Sequence, residues 1–227
     1  MVQNKYDVQL LNIEHYKKHK QMIPFIGQNY GQKKKLLVIG ESHFCPKETD
    51  KNIIKNWYNI DNTNLNNDIF EWTATSKIID FDIANNRFNG SHTIYRNIFY
   101  AINETGFILE ENKNVLTYIS YMNFFQKPAQ ETGESIEVTE EDKNVANDIL
   151  KKVIDIIKPD YLFFVSSESW KSFNKEIFDI NKVGHSSHPT SIWWNRCSTK
   201  YTKPTEEKTI TGKESFKYFI TQNKIFE

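Results

Sequence analysis

The sequence predicts an α/β protein with three layers, α/β/α, around a central, mostly parallel sheet of four to five strands. Three observations lead there. Short apolar runs at 36–39, 115–125 and 161–165 read as strands buried on both faces. Between them, Ile94, Ile98, Phe99 and Ile102, and then Val145, Ile149, Val153, Ile156 and Ile157, recur at helical spacing. Buried strands alternating with amphipathic helices are the pattern of a parallel sheet covered on both sides.

Taken in order, residues 1–32 form a helical lead-in, with a helix over 8–26 that ends near Pro24. Residues 33–35 are three lysines that run into the first strand, Leu36 to Ile39, which stops at Gly40. Residues 46–90 are polar and Asn-rich, with helices expected around 51–58 and 70–81, and their aromatics close a satellite core. A helix over 93–105 stops at Gly106. The second strand ends at Asn123, and a mobile acidic loop over 130–142 leads to a helix stopped before Pro159. The third strand opens onto Ser166, where Ser169 or a neighbour caps a helix over 171–178. Residues 184–196 are too broken by Gly and Pro for a regular element, and 212–226 read as a terminal helix. There is no internal repeat and no domain-sized linker, so one domain over 1–227 is expected.

Composition sets limits. With 227 residues the chain is long enough for one full core. Lys+Arg and Asp+Glu balance at 29 each, so no global field steers it toward nucleic acid or membrane, and any anion-binding face is local. Cys45 and Cys197 are too few for a disulfide framework or a four-cysteine metal site. His185 and His188 lack a third ligand at a recognisable spacing, so no metal and no cofactor is expected. The first residues carry no apolar signal core and no run reaches transmembrane length, so the expectation is a cytoplasmic monomer that does not engage membrane.

The chemistry-bearing stretch is Gly40-Glu41-Ser42-His43-Phe44, directly after a buried strand. Ligands of open α/β sheets bind beyond the carboxyl ends of the strands. Further along come Asn123 at the next strand end and His188-Pro189-Thr190-Ser191 in the broken segment.

In this order, Gly40 to Phe44, Ser91 to Phe99, Ile119 to Asn123 and His188 to Ser191 resemble the motifs of the uracil-DNA glycosylase superfamily. The resemblance spans roughly 36–220. It implies the family's fold and a pocket for a base turned out of DNA. It implies that Asn123 reads the base, that His188 donates to charge developing on it, and that Phe44 covers its plane. Gly40, His43, Ser166, Pro189, Thr190 and Ser191 complete the lining. The chain departs from the pattern where the family's water-activating Asp falls on Ser42, its Pro on His43 and its pocket Tyr on Phe44. Glu41 is the only carboxylate in the motif but sits one position off, and neighbours on an extended strand point to opposite faces. Ser42 can hold a water without activating it.

DNA is the expected partner. Ile192 or Trp193 suits a wedge, and Arg196, Lys200, Lys203, Lys208, Lys213 and Lys217 suit phosphate contact, diluted by Glu206, Glu207 and Glu214. Two alternatives stand beside the glycosylase reading. One is a nucleic-acid-binding module on the same fold that has lost catalysis, supported by Ser42. The other is a serine hydrolase, since Gly40-Glu41-Ser42 resembles the opening motif of the SGNH esterases, with Ser42 as nucleophile and His185 or His188 as base.

Overall fold

A computed structural model describes residues 5–85, 92–107, 114–130, 133–203 and 206–227. Its centre is a five-stranded mixed sheet. The strands are β1 (Phe25–Ile26), β2 (Leu36–Gly40), β3 (Ser120–Asn123), β4 (Tyr161–Phe164) and β5 (Val183–His185), in spatial order β1-β3-β2-β4-β5. The pairings β3–β2, β2–β4 and β4–β5 are parallel, and only β1 runs antiparallel, against β3.

Side chains alternate across the sheet and build two cores. Leu37, Ile39, Met122, Leu162 and Phe164 face one of them. Helices α1 (Asp7–Leu10), α2 (Glu14–Lys18), α3 (Lys51–Lys55) and α4 (Asn67–Trp72) cover that face together with α7 (Glu140–Ile157) and α8 (Ser167–Ser172). Leu36, Val38, Tyr121, Phe163 and Val165 face the other, under α5 (Thr75–Asn85), α6 (Thr93–Asn103) and α9 (Gly212–Gln222). Three layers follow. A separate hairpin pairs β6 (Ser198–Lys203) with β7 (Glu206–Ile210).

Several expectations shift. The single helix over 8–26 is instead α1, α2 and a 3₁₀ turn at Lys20–Met22, because the short runs of periodic residues are interrupted before they complete a long apolar stripe. The strand expected over 115–125 begins only at Ser120. Asn114 caps a 3₁₀ turn over Val115–Tyr118 by accepting from the Leu116 N–H at 2.9 Å. Trp57 joins the main core rather than a satellite, stacked on His19 with ring centroids 4.5 Å apart. The start of the broken segment, Gly184 and His185, instead joins Val183 in an edge strand paired with β4. Helix α8 starts earlier than expected, capped by Ser166. Gly106 does close the helical stretch that begins at Thr93, at φ 78, where a side chain would be strained.

The chain passes from β2 to β3 on one side, then crosses to β4 on the other. The winding reverses between β2 and β4, and the crevice at such a reversal is where open α/β sheets bind ligands.

Candidate active site

The site begins where β2 and β3 end in register, Gly40 opposite Asn123. Backbone bonds continue past the strands: the Phe125 N–H donates to the Glu41 carbonyl at 2.9 Å, and Ala129 N–H to that of His43 at 2.8 Å. Gly40 is required here by space. A Cβ at this position would collide with the Tyr121 hydroxyl and the Asn123 side-chain oxygen. Those two groups bond to each other, Tyr121 Oη donating to Asn123 Oδ1 at 3.0 Å. The Asn123 backbone carbonyl also accepts from Gln126 Nε2 at 2.5 Å, which fixes the strand end.

Across the reversal, β4 gives way to α8. Ser166 is fully buried and its hydroxyl has two duties. It accepts the Ser169 N–H at 3.2 Å as a helix cap, and its proton goes to Glu41 Oε2 at 2.7 Å. Ser169 Oγ in turn donates to the Gly40 carbonyl at 2.9 Å. These bonds tie Glu41 and the end of β2 to the start of α8, on the β4 side of the reversal. Ser166, expected in the lining, is without exposure and holds Glu41.

The third part is the loop after β5. Ser186 N–H bonds the Phe164 carbonyl at 2.8 Å, and Ser191 N–H closes a turn on the His188 carbonyl at 2.9 Å. From α6, Asn97 Nδ2 donates to the Pro189 carbonyl at 2.7 Å and pins the turn to the helical layer. His188 Nδ1 lies 2.7 Å from Thr190 Oγ1 and 3.3 Å from the Thr190 N–H. A backbone N–H can only donate, so Nδ1 is the acceptor and the neutral ring carries its proton on Nε2. Burial lowers the His188 pKa, and the negative charge of Glu41 partly offsets this. Glu41 also acts on Tyr121, whose hydroxyl burial holds well above its ordinary range.

A half-buried carboxylate, a neutral imidazole with a free N–H and an amide whose nitrogen has no partner among the described residues thus share one sheet edge. They can activate a water, donate to a developing anion and read a polar ring edge. No family model, curated protein or solved structure matches the chain. The site is read from its own chemistry.

The remaining expected residues divide. Ser42 is partly exposed, and its hydroxyl has no partner among the described residues. Phe44 is 37% exposed, outside the core. His43 is buried, with Nε2 2.9 Å from Thr75 Oγ1 on α5, and burial lowers its pKa to about 4. Its ring packs against α5. Pro189 is buried, Thr190 exposed, and the Ser191 hydroxyl is buried without a partner among the described residues. A concavity of about 400 Å³ opens beside the end of the first motif, against Cys45, Lys47, Thr49 and Gln130.

Next to the His188 turn, a 3₁₀ turn at Ile192–Trp194 buries Trp194 and leaves Ile192 58% and Trp193 48% exposed. Arg196 beyond it is exposed. Lys213 and Lys217 both pair with Glu104, at 3.2 and 3.0 Å. Lys200 lies on β6, but its side chain, like those of Lys203 and Lys208, is outside the described residues, as is Ser91. Among the described residues no group of three or more His, Cys, Asp or Glu is placed to hold a metal, and no helix is long and apolar enough to cross a membrane.

Sequence reasoning missed Tyr121, Asn97's hold on Pro189, and the Ser166–Glu41 bond. Tyr121 had a signal: it lies two residues before Asn123 on one strand, hence on the same face. The other two join residues 92 and 125 positions apart, beyond any local pattern.

Proposed function

We propose that the protein is a uracil-DNA glycosylase-like enzyme that recognises a deaminated or modified base in DNA and hydrolyses its N-glycosidic bond. The observation that carries this reading is Glu41 held by Ser166 at 2.7 Å, within electrostatic reach of His188. The chain lacks the family's Asp at Ser42, and Glu41 supplies a carboxylate in its stead.

In this reading the base leaves the stack and lies against Asn123. Glu41 takes a proton from a water as its oxygen adds to the sugar C1′. The C1′–N bond breaks and its electron pair departs with the base. His188 Nε2–H donates to the negative charge that appears on a base oxygen, which needs no reorganisation because the neutral tautomer is already set. Ile192 and Trp193 occupy the space the base vacates, and Arg196 meets phosphate.

A second reading, a binding module without catalysis, is favoured by the uncharged Ser42. Oligonucleotides with a single uracil, hypoxanthine or normal base, single- and double-stranded, separate the two. The enzyme reading expects release of one damaged base, lost in His188→Ala. Base-selective binding with no release in wild type, and release gained in Ser42→Asp, would favour the module. Because net charge is zero, DNA affinity should fall with salt at a shallow slope that Arg196→Ala reduces by about one phosphate contact. A salt-independent affinity would remove DNA as the partner.

A further inference from the structure

We propose that Tyr121 is the positioning residue that decides which edge of a base the site accepts, by fixing the amide of Asn123. The inference rests on the base-recognising reading above and adds a residue that reading does not use.

An asparagine amide offers a donor on one side and an acceptor on the other, and rotation by half a turn exchanges them. Left free, Asn123 would accept a ring edge of either polarity. Tyr121 removes that freedom. Its ring is fully buried and meets Tyr95 edge-on, with centroids 5.1 Å apart and planes at 80°. Its hydroxyl therefore has a fixed position, 3.0 Å from Asn123 Oδ1, and no other bonding partner among the described residues. With the oxygen turned toward Tyr121, the hydroxyl proton is satisfied. With the amide reversed, Nδ2 would donate to the hydroxyl oxygen instead, and the buried O–H would be left without an acceptor among the described residues, a cost that favours the first rotamer. Burial also keeps the hydroxyl protonated, so the lock does not titrate in the ordinary range.

The missing Cβ of Gly40 belongs to the same device. A side chain at that position would occupy the space where the hydroxyl and the amide oxygen meet. The consequence is directional: with its oxygen held by Tyr121, Asn123 has its N–H left to offer a ligand, at the same edge of the sheet as the Nε2–H of His188. Both groups are donors, so the site favours a ring edge carrying carbonyl oxygens and rejects one carrying an amino group.

Binding of single-stranded oligonucleotides carrying one uracil or one cytosine in the same sequence tests this, with wild type, Tyr121→Phe and Asn123→Ala. Wild type is expected to prefer uracil. Tyr121→Phe should lose about tenfold of that preference, the scale of one oriented hydrogen bond, while keeping most of its overall affinity. Asn123→Ala should lose preference and uracil affinity together. A purely structural role for Tyr121 would lower both affinities alike, and thermal unfolding of each variant checks the fold. If wild type discriminates and Tyr121→Phe discriminates equally well, the lock is overturned while the base-recognising reading stands. If wild type binds both oligonucleotides alike and Asn123→Ala changes nothing, that reading fails and the lock fails with it.

Discussion

Ser166 shows how one hydroxyl serves packing and chemistry together. Its oxygen caps α8 and its proton orients Glu41, so the carboxylate is aimed by a group that is itself held by a helix. Replacing Ser166 with Ala removes both bonds. A lost cap costs about 1 kcal/mol, which a stability measurement should register. The larger effect is expected in catalysis: kcat for base release should fall roughly tenfold or more, with KM little changed, because the carboxylate and not the binding surface is disturbed. Ser166→Thr keeps the hydroxyl and should recover much of the rate. Equal loss in KM and kcat, or no rescue by Thr, would deny Ser166 this role.

At the scale of elements, the site exists because three strand ends and one helix side meet. Helix α6 holds the His188 turn through the bond from Asn97 to the Pro189 carbonyl. Asn97→Ala should cost about 1 kcal/mol in stability, as for one hydrogen bond. Base release should fall far more than that suggests, since His188 then loses its fixed place. A variant with full activity would show that the turn stands without α6. The sequence made much of this legible. The apolar strands β2 and β4 announced themselves, since burial on both faces leaves no polar position to confuse the pattern. Helices α6 and α7 were marked by their spacing and by the stops at Gly106 and Pro159. β5 was not, because Val183-Gly184-His185 is short, half-buried and interrupted by glycine, and only pairing with β4 makes it a strand. β1 was hidden for the same reason: two residues carry no period. Glu41's bond to Ser166 was also unreadable, because that partner lies on another element.

For the molecule as a whole, buried histidines make a prediction about acid. Burial lowers His19 and His43 from 6.5 to about 4 and His15 to about 3. His19 sits under Trp57, its Nε2 3.0 Å from the Trp57 carbonyl, so protonation would place charge inside the core. These folded-state values lie below the unfolded value. Between about pH 6.5 and 4 the unfolded chain therefore binds more protons, and stability falls as pH falls through that window, levelling out below it. Each of His19 and His43 contributes on the order of 3 kcal/mol at neutral pH that is lost in acid. Urea midpoints should be flat above pH 7 and drop toward pH 4, and His43→Gln should make the drop shallower. A midpoint unchanged from pH 7 to 4.5 would contradict this account of the core. Burial likewise favours neutral His188, so the stable range of the fold coincides with the protonation state that the proposed chemistry uses.

The central claim is that Glu41 does the work of a water-activating carboxylate, and single-turnover excision tests it most directly. An oligonucleotide bearing one uracil is incubated with excess wild-type protein or Glu41→Gln, which keeps size and hydrogen bonding but cannot take a proton. The account predicts release of uracil by wild type and a rate about 10²–10⁴-fold lower in the variant, with oligonucleotide affinity retained. Equal rates in the two proteins would contradict it.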